Sequence, residues 1–204
     1  MSPRIDQLET VRLLLRRFTE ADRAPFAAMN TDPEVTEHLT GPMTRADSDA
    51  FVDRILAHWD TWGYGPHAVQ QQADPNGDMI GYIGLWHHRA LPDEVEIGWR
   101  LARPAWGHGL ATEGAMVVRD AAFDVLRLER LVSLTTDENI ASRRVMDKLG
   151  FRYDRHMPFE RWNLRVAILD SPQPQQPPQP PQPQQPPQPP QPQRPADVQE
   201  PLPH

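Results

Sequence analysis

The Gln/Pro-rich stretch after Asp170 limits where this chain of 204 residues can build a folded core. From Ser171 onward the sequence consists largely of repeats such as QPPQPPQPQQPPQPPQPQ. Proline removes backbone donors, and a segment with so few apolar side chains cannot bury enough surface to offset its loss of conformational entropy. We therefore predict one folded domain over residues 1–170 and a disordered, extended polyproline II tail over residues 171–204.

Composition narrows the classes of function. The formal net charge of −7 argues against nucleic-acid binding, which calls for a basic surface. The absence of cysteine excludes disulfides, thiolate metal sites and cysteine nucleophiles. No apolar run reaches the length of a membrane span, and no signal peptide is evident near the N-terminus, so we expect a cytoplasmic protein without membrane contact.

The first part of the body alternates strand and helix signals. Residues 11–15 (VRLLL) indicate a strand, and Thr19 with Asp22 three residues later forms a near capping box for a helix that ends near Met29. Residues 33–39 indicate a short helical piece. Residues 46–59 predict a longer helix, because Phe51, Ile55 and Trp59 recur along one face.

The second part of the body contains strands around strong turn signals. Residues 67–72 and 79–87 flank the turn sequence DPNGD and predict a β-hairpin. Residues 94–101 (EVEIGWRL) alternate, with Val95, Ile97, Trp99 and Leu101 on one face. Helices are predicted over residues 111–126 and 139–149, the second ending at Gly150, and further strands over residues 131–136, 151–154 and 162–169. The pattern predicts an α+β domain built on one mostly antiparallel sheet flanked by helices.

The segment RPAWGHGLATEG, residues 103–114, joins a strand to a helix through two glycines. A helix N-terminus presents unpaired N–H groups and a partial positive charge, and glycine lets a ligand approach the backbone closely. The segment therefore indicates a site for phosphate or pyrophosphate. It lacks the Gly-Lys-Ser/Thr of a Walker loop and the spacing of the dinucleotide fingerprint. By itself it is equally consistent with a glycine-rich connecting turn.

Several segments, in this order, resemble the GNAT acetyltransferases, most closely the branch that contains the RimJ and RimL ribosomal-protein N-terminal acetyltransferases. They are residues 10–16 (TVRLLLR), 32–35 (DPEV), 96–99 (EIGW), 106–113 (WGHGLATE), 139–142 (NIAS) and 149–151 (LGF). The resemblance covers nearly the whole body. It implies a GNAT-like sheet and the use of acetyl-CoA as cosubstrate, and it is compatible with a homodimer.

The resemblance also implies which residues bind the cofactor. Gly109 and Ala111 match the last two positions of the family's Gln/Arg-x-x-Gly-x-Gly/Ala pattern, whereas Trp106 departs from its first position. Backbone N–H groups over residues 107–112 are expected to hold the pyrophosphate, and the Asn139 side chain to bind the pantetheine arm. The full set expected at the cofactor is Leu101, Trp106, Gly107, His108, Gly109, Leu110, Ala111, Thr112, Asn139 and Ser142.

The family's chemistry is direct attack of an amine on the thioester, which agrees with the lack of a cysteine nucleophile. By resemblance, a backbone N–H at the end of the fourth strand, at Leu101 or Ala102, polarises the carbonyl. We choose Glu96 as the general base, acting directly or through water, with Glu94 and His87 as weaker alternatives. A solvated or ion-paired strand residue is an equally good interpretation of Glu96.

The proton donor for the leaving thiolate is less clear in the sequence. Many GNAT enzymes carry a tyrosine four residues before the glycine of Leu-Gly-Phe, and here that position is Met146. Ser142 is our substitute, and solvent is the alternative. We expect no metal site, since the adjacent His87 and His88 on a strand would point to opposite faces.

The acceptor amine is not specified by the sequence. Trp59, Trp62, Tyr64 and Trp86 are candidates for its cleft, although aromatic residues more often belong to a core. A protein N-terminus, an antibiotic, a polyamine or another small amine all suit the fold. Two other functions stay open: an acyl-CoA-binding module or sensor with little catalysis, and an interaction protein whose tail binds a polyproline-reading partner.

Overall fold

The computed structural model describes residues 5–39 and 41–172. Its strands are β1 (Gln7–Glu9), β2 (Leu13–Arg16), β3 (Pro66–Gln71), β4 (Gly81–His87), β5 (Val95–Leu101), β6 (Arg130–Thr135), β7 (Arg152–Phe159) and β8 (Trp162–Asp170). Its helices are α1 (Arg23–Asn30), α2 (Pro33–Thr36), α3 (Arg45–Trp62), α4 (Leu110–Asp124) and α5 (Ile140–Leu149). None of these helices, within the described ranges, is long and apolar enough to cross a membrane.

The strands form one sheet of order β1-β2-β3-β4-β5-β6-β8-β7. Every neighbouring pair is antiparallel except β5 and β6, which run parallel. The predicted α+β class with a mostly antiparallel sheet is therefore confirmed. A parallel neighbour needs a crossover, and α4 provides it between β5 and β6.

Helices cover both faces of the sheet. On one face α4 packs so closely that a Cβ at Gly114 would lie 2.5 Å from Ile83 and 3.3 Å from Leu13. On the other face Phe26 of α1 and Phe51 of α3 contact the ring of Tyr82 in β4. Side chains of β4 and β5 thus point alternately to the α4 side and to the α1–α3 side.

Local sequence signals account for most element boundaries. Thr19 and Asp22 are hydrogen-bonded, Thr19 N–H donating to the Asp22 carboxylate at 2.7 Å, as the capping-box prediction requires. The DPNGD hairpin is confirmed by the antiparallel pairing of β3 and β4. Gly150 ends α5 in the left-handed conformation with φ 89°, as expected of a C′ glycine.

Several elements differ from the predictions, including α2, which ends at Thr36 rather than near residue 39, and α3, which continues to Trp62. Strand β1 was not predicted, and the first predicted strand begins only at Leu13, because the chain turns through residues 10–12 and leaves Val11 92% exposed. Helix α4 ends at Asp124, so Val125 lies outside its apolar face and is 41% exposed. Strand β7 continues to Phe159, since it pairs with β8 along that length.

The domain boundary and the tail stay predictions. Strand β8 ends at Asp170, and the N–H of Ser171 still donates to the carbonyl of Glu129 at 2.8 Å. Residues 173–204, on which the disordered-tail prediction and its polyproline-reading partner depend, lie outside the described residues.

We predict that Gly114→Leu lowers the free energy of unfolding by about 1–3 kcal/mol, because the new side chain would overpack the contact of α4 with Ile83 and Leu13. Urea unfolding followed by circular dichroism measures this change. Met116→Leu, on the exposed side of the same helix, is the control and should stay within about 0.5 kcal/mol of wild type. Equal stability of the two variants would contradict the close packing of α4 on the sheet.

Candidate active site

The central opening of the sheet lies between β5 and β6. Their ladder contains a single paired position, Glu96 with Val132, and the side chain of Ser133 adds a hydrogen bond to the Ile97 carbonyl at 3.0 Å. Beyond this point Trp99 and Leu101 have no ladder partner on β6 among the described residues. The two strands therefore part towards their carboxyl ends.

A cleft of about 590 Å³ occupies this opening. It is lined on the α4–α5 side by residues that include Ala111 and Val145, and on the other side by Val35 and His38 of the α2 region. Because residues from both faces of the sheet line the cleft, it extends through the opening between β5 and β6. Two molecules can thus meet there from opposite faces of the sheet.

The structure places most of the residues expected at the cofactor on the wall of this cleft. They are Leu101, Trp106, Gly107, Gly109, Leu110, Ala111, Thr112, Asn139 and Ser142. The exception is His108, which is exposed and does not line the cleft. Its part in cofactor binding, through the backbone, stays a prediction like that of the others.

The loop between β5 and α4 owes its shape to its two glycines. Gly107 and Gly109 have φ values of 79° and 77°, in the left-handed region that favours glycine. A Cβ at Gly107 would meet nothing within 4 Å, and one at Gly109 only the guanidinium of Arg12, at 3.8 Å. A ligand can therefore approach this backbone closely.

The start of α4 leaves amide groups available. Its first backbone hydrogen bond runs from Glu113 N–H to Gly109 O at 3.0 Å, so Leu110, Ala111 and Thr112 have no acceptor within the helix. Their N–H groups carry the positive end of the helix dipole. This arrangement suits an anion such as a pyrophosphate.

Side chains from both ends hold the loop in place. Glu113 forms an ion pair with Arg12 at 2.5 Å, and Arg12 also donates to the His108 carbonyl at 2.9 Å. The indole N–H of Trp106 donates to the Leu101 carbonyl at 2.7 Å. Trp106 thus ties the loop to the end of β5, a role that the family's pattern does not suggest.

The strand ladder decides between Leu101 and Ala102 as the free donor at the strand end. The N–H of Ala102 donates to the Ile80 carbonyl at 2.8 Å, so it is already used. Because backbone groups alternate in direction along an antiparallel pair, the N–H of Leu101 points away from β4 and into the opening. The N–H of Trp99, two residues earlier, points the same way.

The loop before α5 brings two polar side chains to the cleft. The side-chain carbonyl of Asn139 accepts from the Ser142 N–H at 3.0 Å and caps α5. The Asn139 amide NH₂ remains for another acceptor. Ser142 lies beside it on the cleft wall, whereas Met146, at the position of the family's tyrosine, is only 2% exposed.

Two cations that the sequence analysis missed also line the cleft. Arg144 and Lys148 lie four residues apart on α5, so they share one face of that helix. Their spacing was visible in the sequence, but nothing there showed that this face of α5 borders the glycine loop. They add positive charge to the cleft wall beside the N-terminus of α4, while Glu138 is an anionic residue near Asn139 on the same wall.

Glu96 lies at the base of the opening, where β5 and β6 last pair. Burial raises the pKa of its carboxyl to about 8, against a hydrogen bond from the Leu134 backbone that favours the charged form. Glu96 does not line the cleft itself. With this pKa the carboxyl is protonated in most molecules at neutral pH, and the carboxylate that can accept a proton from an ammonium group becomes more populated as the pH rises towards 8.

The weaker alternatives for the base lie elsewhere. His87 pairs with Val95, at the opposite end of β5 from Leu101, and its ring stacks on Trp62 with centroids 3.8 Å apart. The Glu94 carboxylate lies 3.5 Å from the guanidinium of Arg155. Neither residue lines the cleft.

The four aromatic residues considered for the acceptor also fall outside the cleft. Trp59 is 2% exposed and donates to the Pro66 carbonyl, and the Tyr64 hydroxyl is hydrogen-bonded to His87 at 2.7 Å. Trp86 stacks on His58. Trp62, Tyr64 and Trp86 form a cluster with His58 and His87 at the C-terminal end of β4, which lies beside the start of β5 because the two strands are antiparallel.

The family pattern of the acetyltransferase (GNAT) domain matches residues 12–152. The chain belongs to the GNAT acetyltransferase family. It is similar to the protein named "Uncharacterized N-acetyltransferase YnaD" of Bacillus subtilis, with 28% identity over 146 residues that cover 71% of this chain and 82% of the relative.

Solved structures of acetyltransferases share the fold. The acetyltransferase from Agrobacterium tumefaciens has a TM-score of 0.73 and 30% identity, covering 81% of this chain and 94% of that one. Mycobacterium smegmatis RimJ, solved in complex with CoA-disulfide, has a TM-score of 0.66 and 19% identity over 83% of this chain and 90% of its own. GNAT enzymes use acetyl-CoA, and among the residues described here there is no group of three or more metal-binding side chains.

We predict that Glu96→Gln changes how stability depends on pH. The raised pKa means that the folded protein keeps a proton which the unfolded chain releases, so wild-type stability falls as pH rises from about 4.5 through about 8. Glu96→Gln has no such titration, so its free energy of unfolding relative to that of wild type should rise with pH. The rise should be about 1.4 kcal/mol for each pH unit by which the Glu96 pKa is raised.

Urea unfolding of both proteins on either side of this pH window measures the difference. Glu94→Gln controls for the removal of a nearby carboxylate. A difference between Glu96→Gln and wild type that stays constant across the window would show that Glu96 is not held in its protonated form.

Proposed function

We propose that this GNAT enzyme transfers an acetyl group from acetyl-CoA to a primary amine, either a protein N-terminus or a small amine such as an antibiotic, by direct attack on the thioester. The observation that carries the proposal is the cleft at the parting of β5 and β6, with the unpaired amides of the α4 N-terminus on its wall. Amide donors and an open strand edge are what an acyl-CoA requires.

In this proposal the pyrophosphate of CoA binds the backbone N–H groups over residues 107–112. Arg144 and Lys148 add positive charge on the facing helix. The Asn139 NH₂ binds the pantetheine arm, since its carbonyl is occupied by the helix cap. The ion pair between Arg12 and Glu113 keeps the loop in this shape before the cofactor binds.

The N–H of Leu101 is the proposed donor to the thioester carbonyl, because it faces the opening and Ala102 is excluded. A carbonyl bound there would develop negative charge during attack and be stabilised by a fixed donor. Leu101 is five residues from Glu96, about 16 Å along a strand. Glu96 would therefore act as the base through intervening water.

Ser142 is the proposed proton donor to the leaving thiolate. It lies on the cleft wall near Asn139, and its hydroxyl forms no hydrogen bond with another of the described residues. The buried Met146 has no proton to donate and supports the alternative function, an acyl-CoA sensor with little catalysis. Acetyl-CoA binding without turnover on any amine would favour that alternative.

We predict that Gly109→Trp abolishes acetyl-CoA binding, since the new side chain would stand where the pyrophosphate approaches the loop. Calorimetric titration of the purified protein measures the affinity, with the melting temperature checked in parallel. His108→Trp adds the same side chain one residue away, outside the cleft, and should bind acetyl-CoA within about threefold of wild type.

A screen of amines with detection of the released CoA thiol completes the test. Wild-type protein that fails to bind acetyl-CoA would contradict the proposed function. If wild type and Gly109→Trp bound acetyl-CoA with equal affinity, the cofactor would not bind at this loop.

A further inference from the structure

Gly98 occupies the middle of β5 on the face turned towards α1 and α3. Along this face it lies between Glu96 and Arg100, because side chains alternate in a strand. Its neighbour on β4 is Gly84. Glycine weakens a strand, and within a sheet it commonly marks close approach of another group.

Neither conformation nor packing requires a glycine at this position. Gly98 is not among the glycines with positive φ, so its backbone suits any residue. A Cβ built on it would have a single atom within 4 Å, the Oε1 of Glu96 at 3.8 Å. By contrast, a Cβ at Gly84 would collide with the Gly65 carbonyl at 2.4 Å, so packing explains that glycine alone.

The space above Gly98 is bounded on its sides by well-packed groups. The rings of Tyr82 and Trp86, which precede and follow Gly84 on this face of β4, both pack against Phe51. Arg100 is held by a hydrogen bond of 2.6 Å to Asn30. The position of a Cβ at Gly98 is therefore open beside the Glu96 carboxyl, while the neighbouring side chains are held by packing and hydrogen bonds.

We propose that Gly98 keeps open the passage through which the acceptor amine reaches Glu96 and the thioester, entering from the face opposite α4. The inference rests on the proposed acetyl transfer and adds a residue that decides which acceptors fit. Arg100 lies on the cleft wall and follows Gly98 on this face of β5, so the proposed passage would run beside it to the cleft. Acetyl-CoA itself, held on the α4–α5 side, does not need this space.

The first experiment measures the open space without any turnover. The chain contains no cysteine, so the thiol of Gly98→Cys is unique and its rate of alkylation by iodoacetamide reports its accessibility. Ala68→Cys, at a fully buried position on the same face of the sheet, is the control. We expect alkylation of Gly98→Cys to be at least tenfold faster, and equal slow rates would overturn the inference.

The second experiment compares Gly98→Ala and Gly98→Val with wild type. Acceptor kcat/KM, measured by thiol release with the amine from the screen that wild type uses best, should fall at least tenfold for valine and less for alanine. The acetyl-CoA affinity should stay within twofold, and the melting temperature should not fall, since valine favours strands.

The outcomes separate the two proposals. A wild-type protein that acetylates no amine contradicts the proposed function, and this inference with it. Wild-type activity together with unchanged acceptor kinetics in Gly98→Val overturns the inference alone. If Gly98→Val lost acetyl-CoA affinity as strongly as it lost acceptor kcat/KM, the space would belong to the cofactor site and the inference would be wrong. A lowered melting temperature would show instead that the space is needed for packing, which would also overturn the inference.

Discussion

The parting of β5 from β6 is the constraint on which the site depends. Backbone N–H groups in the interior of a sheet normally have partners, because an unpaired buried donor is costly. Here the pairing stops after Glu96 and Val132, and the amides of Trp99 and Leu101 face an opening. Water or polar groups of a ligand can pair with these amides, and in the proposed function the thioester and the amide-bearing arm of acetyl-CoA do so.

The rest of the site is organised around this opening. The loop after β5 is tied to the strand by Trp106 and to the first strands by Arg12 and Glu113, so its two left-handed glycines keep their place. Helix α4 then directs its N-terminal amides at the same cleft. The amides of α4 and the cations Arg144 and Lys148 thus lie on one wall of the cleft, while the carboxyl of Glu96 lies at the base of the opening.

Local patterns in the sequence were sufficient for the elements around the site. The alternation over residues 94–101, the glycine pair and the caps at Thr19 and Gly150 each depend on neighbouring residues only, and the structure agrees with them. Leu101, Asn139 and Ser142, which the resemblance singled out, lie on the cleft wall. Their chemical roles stay predictions.

The sequence did not predict how segments that are far apart in the chain lie relative to one another. The direction in which the Leu101 amide points follows from its register with β4, and the pKa of Glu96 follows from burial by distant segments. The aromatic residues near Trp62 seemed suited to an acceptor cleft, but the antiparallel course of β4 carries their partner His87 to the other end of the sheet. Contacts between segments that are far apart in the sequence decide all three properties.

Hydrogen exchange of individual backbone amides, with and without CoA, tests the central claim most directly. Saturating CoA should slow exchange at Leu101 and over residues 107–112, because these N–H groups would become donors to the cofactor. The amide of Ala102, already bonded to Ile80, serves as the internal reference and should change little. Binding of CoA without protection at Leu101 or the loop would contradict the account.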